Sequence, residues 1–425
     1  MLPLEGIKVL EFTEAYSGPL TASMLGDMGA EVIKVERLQG ESIRRGRASG
    51  MWELDQVTQD EVPLDAPQWL ITNRSKRSLA IDIRQDEGRE IIINLIKKTD
   101  VFMENFRPGV MDRLGFAYND ISQINPKIIY ASLSGYGEKG PFAHRIGGDP
   151  WIQAMTGVVS RQGEPNSTPF LAAFSFVDMG NAAILAYGIM VALFVRERTG
   201  MGQRLTTNLL HSSIQLQLTE MSEYLIGGEL VTKIGRSFTP TIMPPPAGTY
   251  RAKDGDVMTI LGSGPQWPRF CQVLGLPHLA SDPRFATDEE RAKHRDELYP
   301  LLENAFTQKT RDEWQQLFRT ERLRCDPCLT YAELFAHPQV EANDIVTTID
   351  HPVQGKLKMP GLPVTLSNTP GHIQSPPPVL GQHTEEILEE LGYTPEKISD
   401  LERMGIVKAT LLNQDTALSA KPEQS

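Results

Sequence analysis

IKVLEFTEAYSGPLTASMLGDMGAEVIKVE, residues 7 to 36, decides the fold. IKVLEF (7 to 12) and EVIKVE (31 to 36) are short β-rich runs of the kind that form buried strands. Between them, LTASMLGDMG (20 to 29) spaces its apolar residues as one face of a helix does. Strand, helix and strand in that order make a βαβ unit, whose strands lie parallel. The turn into the helix reads TEAYSGPLT, and Pro19 suits a first helical turn. The GxGxxG fingerprint of a dinucleotide site is missing there, so neither a nicotinamide nor a flavin cofactor is indicated.

The same alternation continues outward. LAIDI (79 to 83), VFMENF (101 to 106) and KIIYASL (127 to 133) are further strand-like runs, and DEGREIIINLIKK (86 to 98) has helical spacing. The fold class is therefore α/β, with a parallel, doubly wound sheet and helices on both faces. A long apolar helix is expected from about Gly180 to Arg198, stopped by Gly200 and Gly202, with helical patterning resuming to about 226. At PTIMPPPAGTY (240 to 250) the composition shifts to a stiff, Pro-rich segment. GTYRA, DVMTILGS and WPRFCQVLG then read as two strands and a helix of a smaller domain over 227–330. Domain boundaries of 1–226, 227–330 and 331–425 follow. The last part is loop-rich, with a helical region at 389 to 405 and a mobile tail, QDTALSAKPEQS.

Composition narrows the function. The 425 residues suffice for two domains, and 40% hydrophobic against 23% charged residues describes an ordinary globular chain. A net charge of −12 argues against nucleic acid or an anionic membrane as partner, so a phosphate-bearing ligand must be met by a local basic cluster. The longest apolar run, Ala182 to Val195, is 14 residues, short of the roughly 20 that span a bilayer. MLPLEGIK carries no signal core and three cysteines make no disulfide framework, so the expected compartment is cytoplasmic. Cys325 and Cys328 form a CDPC pair without a second pair to complete a zinc site, so no metal is expected.

Several stretches have the residue types for chemistry. Arg37, Arg44, Arg45, Arg47, Arg74, Lys76 and Arg77 crowd two early loops, either for a polyanionic ligand or as a solvated, salt-bridged surface. ENFRPGVMDRLG (104 to 115) turns at Pro108 and Gly109 after a strand and opens a helix carrying Arg113, in the position where α/β proteins bind ligands. LGSGPQW (261 to 267) offers the backbone freedom of a lid or of a plain turn. In FVDMGNA (176 to 182), Asp178 stands before the long apolar helix. It reads first as an N-cap, and the ionised state that the helix dipole favours there is also the state a carboxylate nucleophile needs.

Taken in order, PLEGIKVLEFT…SGPLTASMLGDMGAEVIKVER, NRSKRSLAIDI…EGRE, ENFRPGVMDRLGF, NPKIIYASLSGYG, RTGMGQR, DPRFAT and LGQHTEEILEELGY resemble the signatures of the family III coenzyme A transferases over nearly the whole chain. That family includes formyl-CoA:oxalate and carnitine-type transferases and the α-methylacyl-CoA racemases. The resemblance implies a Rossmann-like large domain built from N- and C-terminal parts, a small middle domain, and an interlocked dimer, either a homodimer or a hetero-oligomer with a related subunit.

It further implies acyl-CoA and a carboxylic acid as substrates, with no tightly bound cofactor. Asp178 matches the aspartate that attacks the thioester, and Tyr16 a residue near the reacting carbonyl. Gly262 and Gly264 match the loop that covers the intermediate. Arg37, Lys76, Arg113, Asn105 and Phe106 match positions that bind CoA. The racemase branch carries GHD where this chain has Gly147-Gly148-Asp149, so Gly148 replaces a proton-transfer histidine and racemization is disfavoured. His144 is four residues away and reads as a surface residue. A non-catalytic CoA-binding subunit, with Asp178 serving only as a cap, is the remaining alternative. Tyr16, Trp151, Phe170, Phe174 and Phe176 around the site favour an apolar or aromatic acid as substrate.

Overall fold

The computed structural model describes residues 1–45, 65–163, 166–228, 244–261 and 264–412. Among these the chain forms two compact units. The first draws on Met1–Ile152, Phe174–Leu216 and Gln339–Ser425, and the second on Gln153–Ala173 and Gln217–Pro338.

Six strands of the first unit come early: β1 (Lys8–Phe12), β2 (Glu31–Glu36), β3 (Arg77–Ile81), β4 (Val101–Glu104), β5 (Ile129–Ser134) and β6 (Gln203–Asn208). The second unit adds β7 (Gly248–Ala252), β8 (Gly255–Ile260) and β9 (Arg324–Pro327), a three-stranded antiparallel sheet. The chain then returns to the first unit with the hairpin β10 (Val346–His351) and β11 (Gly355–Pro360), and with the short β12 (Val407–Lys408). The first unit's main sheet has the order β12-β3-β2-β1-β4-β5-β6. All its pairings are parallel except β12 with β3. The protein is mixed α/β with a parallel-dominated central sheet.

The helices that matter below are α1 (Ser17–Asp27), α2 (Pro67–Thr72), α3 (Asp86–Ile96), α4 (Val110–Leu114), α5 (Asp149–Met155) and α6 (Phe176–Thr199). With them come α7 (Trp267–Val273), α8 (Arg295–Phe306) and α9 (Arg311–Thr320) of the second unit, then α10 (Thr384–Glu390) and α11 (Pro395–Arg403).

Alternating side chains send β1 and β4 into two separate cores. Val9, Val101 and Met103 join Ala22, Leu25, Leu185 and Ile189 on one face of the sheet. Leu10, Phe12 and Phe102 join Ile91, Leu95, Ile387 and Leu401 on the other. Phe102 stacks between Phe12 and Tyr130, with ring centroids 5.0 and 5.1 Å apart. Full burial of such a side chain stabilises the fold by about 1.5–3 kcal/mol. The second unit has its own aromatic core of Trp267, Phe270, Phe306, Trp314 and Phe318.

Three differences from the sequence reading have clear causes. The strands β6, β9, β10, β11 and β12 carry no apolar run, because each is an edge or hairpin strand whose pairing satisfies the backbone without demanding hydrophobic side chains. Helix α6 begins at Phe176, four residues before the expected start, because its first turn is capped from another part of the chain. By length and composition α6 also qualifies as a membrane span, yet Val177, Ala182, Leu185 and Ile189 pack it into the core. The tail QDTALSAKPEQS lies outside the described residues.

Strand order reverses between β1 and β4. Loops leaving their carboxyl ends diverge there and open a crevice, the position where doubly wound sheets receive ligands.

Candidate active site

Asp178 is the third residue of α6, and it does not cap that helix. The N-cap position, Ser175, makes no side-chain capping bond. Asp149 takes over that work: its Oδ2 accepts from the backbone N–H of Val177 (2.9 Å) and of Asp178 (3.0 Å). A buried carboxylate from 29 residues upstream thus satisfies two orphan donors of the first turn. The Asp178 side chain is left to line a cavity of about 450 Å³ at the crevice.

Among the described residues, a serine hydroxyl holds that side chain. Ser17, the first residue of α1, shares its hydroxyl proton between Oδ1 and the backbone carbonyl of Asp178, both at 2.8 Å. Burial pushes the Asp178 carboxyl up to about 6; the Ser17 hydrogen bond works against that rise, and the Asp149 charge adds to it. At neutral pH the carboxylate is still mostly ionised while poorly solvated, the combination a nucleophile requires. Tyr16 lines the same cavity, and burial, then the Asp178 charge, raise its phenol.

The turn bearing these residues is unusual. Ala15 has a left-handed backbone, with φ 67°, which costs a residue with a Cβ on the order of 1–3 kcal/mol. Asn105, at the end of β4, spans the neighbouring residue: its Oδ1 accepts from Glu14 N–H (2.9 Å) and its Nδ2 donates to the Glu14 carbonyl (2.7 Å). Asn105 therefore ties the β1 loop to the β4 loop.

A second cavity, of about 460 Å³, lies at the ends of β1, β2 and β3. Arg37, Leu38, Ile83 and Arg84 line it, and Phe106 lines both cavities. Arg37 is exposed and pairs with Glu14 at 2.8 Å. Arg113 stands exposed on α4, beside the left-handed turn at Gly109 (φ 86°).

Lys76 has a different place from its expected role at CoA. Its ammonium is fully buried, ion-paired with Glu11 at 2.8 Å and bonded to the Pro19 carbonyl (2.8 Å) and Asn73 Oδ1 (2.9 Å), so it presents nothing to a phosphate. Burial lowers it to about 8 despite Glu11. Arg44 is likewise internal, stacked 3.5 Å over the Trp69 ring and paired with Glu36 and Asp65 at 2.7 Å each. Arg74 pairs with Asp27 in the interior. Much of the early basic cluster is thus neither a ligand grip nor a solvated surface, but a set of buried ion pairs. Arg47 lies outside the described residues, as does Gly262. Gly264 opens the single turn Gly264–Gln266 in the second unit.

Among the first unit's candidate aromatics, Tyr16 lines the Asp178 cavity, whereas Trp151 and Phe174 are exposed. The cavity wall carries two guanidinium groups instead, those of Arg107 and Arg145. Cys325 and Cys328 are free thiols, the first buried within β9.

Ser17 and Asp149 were not singled out from sequence. Neither stands near Asp178 in the chain, and only the fold brings all three together. The available signal was weak: a serine opening α1 after a strand, and an aspartate following two glycines.

Fold and site together define a mixed α/β protein with a desolvated carboxylate, that of Asp178, lining a cavity at the carboxyl ends of parallel strands. Residues 4–384 match the family model described as CoA-transferase family III, and the chain belongs to that family. It is an enzyme that transfers coenzyme A. It is 34% identical over 407 residues to the succinyl-CoA:glutarate CoA-transferase of Homo sapiens, covering 95% of this chain and 90% of the relative. Identity to the formyl-CoA:oxalate CoA-transferase of Bradyrhizobium diazoefficiens is 31% over 422 residues, covering 95% and 96%. The crystal structure of a CAIB/BAIF family protein from Brucella suis superposes with a TM-score of 0.80 at 32% identity, covering 92% of this chain and 99% of that one.

Proposed function

We propose that the protein moves CoA from an acyl-CoA to a carboxylic acid through covalent intermediates on Asp178. The observation that carries this reading is the division of labour at α6: Asp149 caps the helix, so the Asp178 carboxylate faces the cavity, desolvated and steadied by Ser17. The carboxylate attacks the thioester carbonyl, the C–S bond breaks, and a mixed anhydride forms with CoA thiolate as leaving group. The thiolate then attacks the Asp178 acyl carbon, releasing the donor acid and leaving an aspartyl-CoA thioester. The acceptor carboxylate displaces the thiolate from Asp178, and the thiolate attacks the acceptor's carbonyl in turn. Acyl-CoA product departs and the aspartate is regenerated. The activation of the thioester is conserved throughout, provided water is kept out.

Tyr16 stands beside the reacting carbonyl. Arg37, Arg113 and the Asn105-Phe106 turn receive the CoA moiety, its adenosine end in the 460 Å³ cavity. Lys76 supports that region from inside. The substrate acids are short dicarboxylates, a reading supported by Arg107 and Arg145 in the cavity wall and by the acids named for the relatives. Racemization finds no support, since Gly148 offers no base and packs against the Trp151 ring.

The strand order β3-β2-β1-β4-β5-β6 supports a Rossmann-like large unit. Assembly as a dimer, with a second copy covering α6, is supported by the exposed Tyr187, Val191 and Phe194 on one face of that helix. The reaction needs no tightly bound cofactor.

The test is to incubate the protein with succinyl-CoA and trap with hydroxylamine. Wild type is expected to give a CoA adduct and a hydroxamate at residue 178, and Asp178→Asn neither. A folded Asp178→Asn variant that still exchanges CoA between dicarboxylates rejects the reading.

A further inference from the structure

We propose that Glu41 is a positioning residue for the transfer reaction: it holds the left-handed turn at Ala15 that aims Tyr16 and Ser17 at Asp178. This inference rests on the reading of Asp178 as the reacting carboxylate.

Glu41 is buried, and its two oxygens face opposite ways. Oε1 accepts from the Trp69 indole Nε1–H at 2.7 Å and meets the Lys34 ammonium at 3.1 Å. Oε2 accepts from the backbone N–H of Ala15 at 2.9 Å. Trp69, on α2, is itself fully buried and pinned under the Arg44 guanidinium, so the carboxylate is anchored on rigid groups. From that anchor it grips the one residue of the β1 loop with a strained backbone.

The rest of the turn is held in the same manner. Lys34, in the middle of β2, donates to the Thr13 carbonyl at 2.8 Å, and Asn105 takes both backbone groups of Glu14. Thr13 C=O, Glu14 N–H, Glu14 C=O and Ala15 N–H, four successive polar groups, are therefore each bound by a side chain from elsewhere in the fold. Loops normally give such groups to water. Here the backbone is fixed immediately before the two residues that face Asp178, and the Ser17 hydroxyl reaches Oδ1 at 2.8 Å only because the turn is where it is.

The chemistry requires a glutamate. Glutamine offers one acceptor and one donor, so whichever way its amide turns, an N–H faces either the Ala15 N–H or the Trp69 and Lys34 donors. Aspartate keeps the charge opposite Lys34 but is one methylene too short to reach both sides.

Glu41 also lines the second cavity, so steady-state constants separate positioning from a direct part in CoA binding. Glu41→Gln is expected to lower kcat about tenfold or more, with KM for succinyl-CoA changed less than about threefold, because displacing the Ser17–Asp178 pair affects the chemical step. A rise in KM at unchanged kcat makes Glu41 a wall of the binding cavity and overturns the proposal. Adding Ala15→Gly in the Glu41→Gln background lets the left-handed turn form without the Cβ penalty and is expected to restore roughly threefold of the lost kcat. Failure of that rescue also overturns it.

Should Glu41→Gln not fold, Glu41→Asp preserves the charge beside Lys34 and is expected to show the same fall in kcat; a wild-type kcat in that variant overturns the proposal. Asp178→Ala, assayed alongside, separates the two ideas. If it keeps turnover, the reading of Asp178 fails. If it is inactive while Glu41→Gln turns over at the wild-type rate, Glu41 alone is rejected.

Discussion

A carboxylate that is costly to ionise leaves a thermodynamic trace. The Asp178 carboxyl titrates near 6 in the folded protein, against an ordinary value of 3.8, so between those pH values the native state binds more protons than the unfolded chain. Stability therefore falls as pH rises through that window, and the penalty is complete at neutral pH. Asp178→Asn removes it and is expected to raise stability at pH 7 by roughly 1–2 kcal/mol while abolishing turnover, whereas a capping aspartate would lose stability on the same change. Urea unfolding of both proteins at pH 7 decides the sign. Burial disfavours the charge of Lys76 as well, lowering it to about 8, but its ammonium is ion-paired with Glu11 and bonded to backbone. Lys76→Met leaves Glu11 short of a partner and is expected to cost about 3–5 kcal/mol, with KM for acyl-CoA unchanged in the folded fraction. A raised KM without loss of stability in urea titration and kinetics would return Lys76 to the ligand.

At the scale of elements, the first turn of α6 couples capping to the ionisation of Asp178. Asp149 both satisfies two N–H groups and sits close enough to oppose ionisation of Asp178. Asp149→Asn keeps an acceptor oxygen but removes the charge, so the acid limb of the kcat profile, expected near pH 6, should move to lower pH. Asp149→Ala loses the cap as well and should cost about 0.5–2 kcal/mol. A pH–rate profile of the Asn variant coincident with wild type would uncouple the two carboxylates.

The central elements were legible in the sequence because β1, β2, β4 and β5 are buried on both faces and read as apolar runs. Strand β6 was not, since an edge strand of sequence QRLTTN needs no such run. Asp178 was legible as a candidate, but its capping role was misassigned: local sequence shows a residue's neighbours, not a carboxylate arriving from 29 positions away. Lys76 and Arg44 were misread for a related reason. Sequence records charge, and depth is a property of the fold.

At the scale of the whole molecule, the outward face of α6 exposes a row of apolar side chains among the described residues of the first unit. Tyr187, Val191 and Phe194 lie on that face at i, i+4 and i+7, and two of the three are more than 60% exposed. If a second copy covers them, Tyr187→Glu combined with Phe194→Glu should halve the mass measured by sedimentation. A wild-type mass of one chain would remove the dimer altogether.

The first unit is also closed by the far end of the polypeptide: β12 pairs Val407 with Ile81, and Ile387, Leu388, Ile398 and Leu401 complete the core around Leu79. During translation the edge of β3 emerges some 300 residues before its covering strand, a wait of roughly 15–60 s at ordinary elongation rates. Through that interval the nascent sheet has an uncovered margin and one core still missing part of its cover, so the ribosome delivers a cavity around Asp178 that is nearly all present while the unit cannot be sealed until these late helices arrive.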